Sequence, residues 1–262
     1  QTQNFFKEHN YFGLNPDGVR MVPQGMMPAV LETGEILLES KSRIAMNPDG
    51  HGGFFRVMAK SGLAKKLQDS GIEVITYFQV DNPLVPFLEP EFFGFHATAG
   101  AEMSSRATPK KDPNEKVGVF CLNKGSLAVI EYSDLPDELA QCRTSDGNLM
   151  FNAGSLAMHV ISPAFAERVG GGDGACKLPY HAARKKVPTI NEQGNPIVPD
   201  QPNGIKLETF VFDAVPFAKN SCVVEVVREE AFSPVKNATG IDSINTCRND
   251  QVKQFARWAK AA

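Results

Sequence analysis

The sequence contains no run of about 20 apolar residues, the length that a membrane-spanning helix requires. It also lacks a surplus of positive charge: 27 Lys and Arg stand against 30 Asp and Glu, a formal net of −3. A protein that neutralises nucleic-acid phosphates needs the opposite balance, so neither membrane nor nucleic acid is an expected partner. There is no cysteine framework. The five cysteines (Cys121, Cys142, Cys176, Cys222 and Cys247) are odd in number, scattered, and free of any C-x-x-C pair. Such a set reads as reduced thiols of a cytoplasmic protein rather than disulfides or a zinc site. The G-x-S-x-G, H-E-x-x-H, Walker A and EF-hand patterns are absent as well, which removes the commonest hydrolase, metalloprotease, P-loop and calcium readings. What is present is ample core material: 42% hydrophobic residues and 18 phenylalanines in a chain of 262. Disorder is thereby excluded, and a sizeable core is expected. The chain opens on Gln1 with no initiator Met and no signal-peptide zones, and reads as continuing from something upstream.

Helical and strand periods alternate, the pattern of an α/β protein. Helices are expected over 2–9, 54–69, 90–99, 163–169, 207–219 and 252–261. Strands are expected over 19–22, in two short pieces within 29–39, and over 72–80, 103–107 and 222–228. A hairpin is expected over 117–132 about Asn123-Lys124-Gly125. The 54–69 helix followed by the near-continuous apolar 72–80 segment reads as half of a βαβ unit with a buried parallel strand. The glycine-rich 170–174 segment follows a helix and leads into none, so it reads as a connection and not a phosphate loop. The 191–200 stretch reads as a turn or hairpin excursion. No linker or internal repeat divides the chain, and residues 1–262 are expected to form the core of one principal domain.

Among polar residues, Asp81 stands where the strongest strand ends. Ligands of open α/β sheets bind outside the carboxyl ends of strands, so an acid there is placed to hold Mg²⁺ near a phosphate; a plain turn residue before Asn82-Pro83 is the simpler alternative. The Asp49–Gly53 segment offers close backbone approach to a planar base or a phosphate, although a helix-entry loop looks similar. His9, His96, His159 and His181 have no partner pattern and read as packed or surface imidazoles. Gln24-Gly25-Met26, Glu131-Tyr132, Phe151–Gly154 and Phe232–Asn237 are polar islands in apolar surroundings.

The order of these islands carries a resemblance. With Phe12-Gly13-Leu14, Gln24–Ala29, Pro48–Gly53, Val80–Pro83, Glu131–Ser133, Phe151–Gly154, His181–Pro188, Pro202–Glu208, Phe210–Asp213 and Arg228–Ala238, the chain resembles the eukaryotic-type UDP-sugar pyrophosphorylases, most of all those acting on UDP-N-acetylglucosamine. The resemblance implies a Rossmann-like nucleotidyltransferase (nucleotide-diphospho-sugar transferase) fold, α/β with a mainly parallel central sheet and added hairpins. It implies uridylyl transfer: UTP and a sugar 1-phosphate give a UDP-sugar and pyrophosphate with Mg²⁺. Gln24 and Gly50 would meet the uracil, since a Gln amide matches an imide edge and Gly admits close approach. Asp81 would ligate Mg²⁺ beside the nucleotide phosphates. His51, Glu131, Tyr132 and Asn152 would meet the sugar, and Lys206 and Lys236 would neutralise phosphate charge as the catalytic cations. Asp81, Lys206 and Lys236 are then expected on one cleft, with Asp81 closing a central parallel strand.

Two departures from the family pattern shape the expectations. The N-terminal Gly-Gly-x-Gly-Thr-Arg loop and the lysine after it are missing, as is the C-terminal domain, so this stretch alone is expected to make no UDP-sugar. A UDP-sugar-binding module without catalysis is the competing reading. His51 replaces the Asn of the N-acetylglucosamine enzymes and matches the His of the glucose enzymes; N-acetylglucosamine 1-phosphate remains the first choice of sugar and glucose 1-phosphate, or a broad sugar range, the second.

Overall fold

The computed structural model describes residues 1–171 and 177–262. Six strands form the main sheet: β1 (Ile75–Tyr77), β2 (Met103–Pro109), β3 (Val119–Asn123), β4 (Ser126–Ile130), β5 (Ala153–Ile161) and β6 (Ser221–Glu225). Their order is β6-β2-β5-β3-β4, with β1 pairing the far end of β5. The α/β class stands, but the expected mainly parallel pairing does not. Only β2 and β6 pair in parallel; β1, β2 and β3 each meet β5 antiparallel. The uncharged 153–161 run explains this, because it enters the middle of the sheet against its neighbours' direction and leaves β1 and β2 on opposite sides of itself. The expected 72–80 strand shrinks to three residues for the same reason: β3 takes the remaining edge of β5, and Val80 is left 97% exposed.

Other boundaries moved on local grounds. The 54–69 helix is two helices, α1 (Gly53–Lys60) and α2 (Leu63–Asp69), broken at Gly62, whose φ of +70° a helix does not accept. The 207–219 helix is instead the end of a strand (Gly204–Glu208, paired with His181–Lys185) and a 3₁₀ turn over Val211–Phe217. Pro216 removes a backbone donor there, which disfavours a continuous α-helix. No strand forms over 19–22. Helix α3 (Pro90–Thr98) and helix α4 (Pro163–Gly171) fall where expected. The last helix, α5 (Ile244–Ala261), starts earlier than 252 because Ser243 caps it: its hydroxyl accepts from the Thr246 N–H while Thr246 Oγ1 accepts from the Ser243 N–H. The 117–132 hairpin forms with Lys124 and Gly125 both at positive φ, the turn that matches strand twist. Within the 191–200 stretch Pro196–Ile197 pairs back on Thr189–Ile190. Residues 172–174 of the glycine segment, and Cys176, lie outside the described residues. The other four cysteines are free.

The main core lies between the sheet and α1, α2 and α4. Phe55, Met58, Met103, Ile161, Phe165, Val211 and Val215 are buried together, each contributing about 1.5–3 kcal/mol of apolar burial. Gly170 sets the distance between α4 and α1: a Cβ there would lie 1.8 Å from the Phe55 carbonyl oxygen. On the sheet's interior face His159 is 1% exposed, with Nδ1 2.8 Å from Ser105 Oγ. Burial, and then the nearby His51, lower its pKa to about 3. The unfolded chain therefore binds a proton that the folded chain refuses. Stability from neutral His159 is full above pH 6.5 and drains away as pH falls toward 3. Calorimetric Tm should decline over that window, and His159→Gln should flatten the decline by about one proton's worth of linkage.

Candidate active site

Two sequence islands 25 residues apart form one physical unit. Met26–Pro28 pairs antiparallel with Met46–Pro48, which brings Gln24-Gly25 against Asp49-Gly50. Gln24 Nε2 donates to the Gly50 carbonyl at 2.6 Å, and the Asp49 N–H donates to Gly25 O at 3.0 Å. The buried Asp49 carboxylate packs so closely on Gly25 and Gly53 that a Cβ at either would lie 2.3 Å or 2.2 Å from its oxygens. Gly50 has φ +83°, and a Cβ there would meet Thr209 O at 2.4 Å. The glycines of this motif are thus required by the protein's own packing, and that packing leaves the Gln24 amide exposed and oriented at the Gly50 backbone.

Immediately after Gly50 the chain enters a cleft of about 180 Å³. His51, Gln79, Asp81, Lys116, Gly118, Glu131, Tyr132, Phe212 and Lys236 line it, with Ser155, Leu156 and Ala157 forming its floor. The floor comes from a bulge: Ser105 pairs with His159 and Ala107 with Ser155, so Arg106 alone faces residues 156–158. Ala157 takes a φ of +52° to make the excursion. Bulges of this kind turn a strand's side chains toward a site.

Asp81 lies four residues past the carboxyl end of β1, a strand that pairs only antiparallel, on β5. It shares the cleft with Lys236 as expected, because the two segments are clasped. The Asn82 side chain donates to Ala231 O (2.8 Å) and accepts from the Ser233 N–H (3.0 Å), and the Val235 N–H donates to Asp81 O (2.7 Å). Lys206 does not share it. It lines a neighbouring hollow of about 620 Å³ with Met26, Asn47 and Val187, since its strand residues lie beside the Met26–Pro28 pair and not the sheet. Asn152 is also outside the cleft lining; its carboxamide oxygen accepts from the Lys110 N–H at 2.9 Å.

His51 is fixed and neutral. Its Nδ1 accepts from the Val211 N–H at 3.0 Å, which puts the ring proton on Nε2. Burial, and then His181, lower its pKa to about 4. The ring stacks on Phe210 at 4.9 Å and 17°. His181, read from the sequence as an ordinary imidazole, stacks on the same Phe210 at 4.3 Å and 25°. Its Nε2 donates to Asp213 Oδ2 at 2.8 Å, and its Nδ1 lies 3.6 Å from Asp134. Asp213 is pushed upward by burial and drawn back by His181. Sequence reasoning missed His181, Asp134, Asp213 and Lys116. Only the matching of whole blocks marked the first and third, and no periodicity or spacing signals a contact between residues so far apart.

The fold is that of solved nucleotide-sugar pyrophosphorylases. A structure assigned as a UDP-N-acetylglucosamine pyrophosphorylase from Entamoeba histolytica superposes with a TM-score of 0.89 at 35% identity, over 99% of this chain and 64% of that one. The uridine diphosphate N-acetylglucosamine pyrophosphorylase of Trypanosoma brucei, solved with an inhibitor, gives 0.86 at 31% identity, over 98% and 52%. In sequence, human UDP-N-acetylhexosamine pyrophosphorylase-like protein 1 is 42% identical over 263 residues, all of this chain and 52% of that protein. The UTP–glucose-1-phosphate uridylyltransferase family matches residues 1–247, and the chain belongs to that family. It spans about half the length of the curated relatives it matches.

Glu131 carries the clearest electrostatic cost in the cleft. Burial, and then Asp134, raise it above the ordinary carboxylate range, while His181 and Lys236 pull it back. A raised acid in the folded state stabilises only while protonated, so that contribution is lost as pH rises past the ordinary carboxylate value through the raised one. Glu131→Gln should therefore raise Tm at pH 7 relative to the wild type, with the difference closing toward pH 4.

Proposed function

We propose that this chain is the catalytic core of a uridylyltransferase that joins UTP to a sugar 1-phosphate, N-acetylglucosamine 1-phosphate first, releasing pyrophosphate. One observation carries the reading: Asp81, Lys236 and His51 line the same cleft, and His51 is one residue from the Gln24–Gly50 pair. A base held at that pair leaves its phosphates and the sugar no farther to reach than the adjoining cleft. An oxygen of the sugar phosphate attacks the α-phosphorus of UTP. A new P–O bond forms as the bond to the bridging oxygen of the β-phosphate breaks, and pyrophosphate departs. No protein nucleophile is required. Lys236 offsets the charge on the reacting phosphates, and positioning supplies much of the rest.

A Mg²⁺ ion fits this arrangement as a guest of the phosphates. Among the described residues no trio of ligating side chains converges, whereas Mg²⁺ commonly takes one or two carboxylates and completes its shell with water and phosphate. Asp81 would hold it, and the ion would spread the charge of the transferring phosphoryl group. Glu131 and Tyr132 would bond the sugar hydroxyls, with Gln24 and Gly50 at the uracil. Lys206 we assign to the nucleotide side, by way of the hollow beside Met26, and Asn152 to holding the Lys110 backbone at the rim of the sugar side. No described helix is long and apolar enough to cross a membrane; the site of action we assign to the cytoplasm on the reduced-thiol reading of the scattered cysteines.

Two measurements test the reading in the full-length protein. Asp81→Ala and Lys236→Ala should each lower kcat for pyrophosphate release from UTP and N-acetylglucosamine 1-phosphate by about 10²-fold or more; full activity in both overturns it, and binding of UDP-sugar without any turnover favours the non-catalytic module. The kcat/KM ratio for the two sugar phosphates, with and without His51→Asn, tests the sugar. The N-acetyl sugar should be preferred with either residue. A glucose preference that His51→Asn reverses makes His51 the selector and overturns the first choice.

A further inference from the structure

His51, His181 and Asp213 gather around Phe210, and contacts from His181 run on to a second wall of the cleft. His181 opens the strand His181–Lys185, paired with Glu208 of the neighbouring strand. Its Nε2–H donates to Asp213 Oδ2, and the same oxygen accepts from the Phe210 N–H at 3.3 Å. That second bond closes the turn 210–213. The turn presents the Val211 N–H to His51 Nδ1, the bond that decides which His51 nitrogen carries the proton. On its other side His181 Nδ1 faces Asp134, whose N–H is bonded to the Glu131 carbonyl at 2.9 Å. The 131–134 turn in question carries Glu131 and Tyr132 into the cleft. Both imidazoles stack on Phe210. His181 is not among the residues that line the cleft, yet it joins the two walls that do.

We propose that His181 is a positioning residue for the sugar end of the cleft: bound to Asp213 and facing Asp134, it sets the tautomer and orientation of His51 and the placement of Glu131. For its substrate this rests on the sugar 1-phosphate reading above; for its geometry it does not. A donor is needed because the half-buried Asp213 carboxylate can only accept when ionised. Removing the donor leaves that carboxylate without its strongest partner and frees the 210–213 turn, and a ring displaced by 1 Å in such a site costs far more than the lost bond.

The experiment compares His181→Phe, which keeps the stack and removes both nitrogens, with His181→Gln, which keeps a donor for Asp213. In the ligand-free protein, imidazole ¹⁵N shifts should show His51 protonated at Nε2 with Nδ1 as acceptor. That signature should survive in His181→Gln and average between tautomers in His181→Phe. In the full-length enzyme, His181→Phe should raise KM for N-acetylglucosamine 1-phosphate about tenfold with KM for UTP unchanged, and His181→Gln should recover most of it. Asp134→Ala, an exposed change that leaves the core intact, should raise the sugar-phosphate KM severalfold and serves as the deciding variant if His181→Phe does not fold. Retention of the His51 signature in His181→Phe, or an unchanged sugar-phosphate KM in both that variant and Asp134→Ala, overturns the proposal. If the wild type uses no sugar 1-phosphate, the functional reading fails while the ¹⁵N signature still decides the role of His181.

Discussion

The placement of Asp81 beside the 231–236 segment depends on one buried carboxamide. Asn82 is 5% exposed and spans two backbone groups of a segment 149 residues away in sequence, donating to one and accepting from the other. No other short side chain does both at once: Asp loses the donor, Ser lacks the reach, Ala leaves a buried carbonyl and a buried N–H unpaired at about 1–3 kcal/mol each. Because the bond is made next to Asp81, and the Val235 N–H completes the clasp on the Asp81 carbonyl, an acid and a lysine from distant parts of the chain line one cleft. The clasp also explains why the strand before it is so short. Chain direction after Tyr77 is dictated by the need to meet the 231–236 segment, and continuing along the sheet edge would carry Asp81 away from it.

The cleft is built from local costs that the core below it offsets. Ala157 adopts a left-handed conformation in mid-strand, a cost of roughly 1–2 kcal/mol for a residue with a Cβ. Glu131 is desolvated, and His51 and His159 are held neutral by burial. Each works against folding at some pH, and each lies within or just behind the same 180 Å³. The α1–α2–α4 layer on the sheet, with its two buried phenylalanines at 55 and 165, supplies the counterweight without entering the cleft. Concentrating unfavourable groups where ligands bind, and apolar packing elsewhere, is the expected division of labour in an enzyme.

How far the sequence anticipates this can be judged residue by residue. Helices α3 and α4, strand β2 and the Lys124-Gly125 hairpin follow from local signals, because caps, turn glycines and periodicity act over a few residues. The family blocks place Asp81, Lys236, His51, Glu131 and Tyr132, which the fold does assemble. Strand pairing escapes such reasoning: an apolar run such as 153–161 reads the same in either direction, and only long-range order sets it antiparallel between β1 and β2. The sequence points Lys206 to the common cleft, whereas the fold puts it in a separate hollow, because motif order carries no information on which face of a hairpin a side chain leaves from. The His181–Asp213 contact spans 32 residues and the Val211–His51 contact 160; nothing in either neighbourhood hints at them. The glycines at 25, 50 and 53 illustrate the reverse. They look like ligand glycines in the sequence, yet they are demanded by Asp49 and Thr209.

These contacts bear on what kind of histidine can sit beside a neutral sugar. In the proposed reaction, a cationic imidazole in the cleft lining would compete with Lys236 for the substrate's phosphate. Burial and the proximity of His181 lower His51 to about 4, so the ring is neutral at pH 7. The Val211 N–H then occupies Nδ1, and what remains for the substrate is a single N–H donor on a rigid ring. An Asn at this position would present a donor and an acceptor on a shorter, rotatable arm. The difference between the two is therefore less one of size than of hydrogen-bond sign: His51 can satisfy a hydroxyl or a carbonyl oxygen, and it offers nothing to an amide N–H. Recognition of an N-acetyl group through its carbonyl is compatible with that donor, while recognition through its N–H would have to come from another residue of the cleft lining.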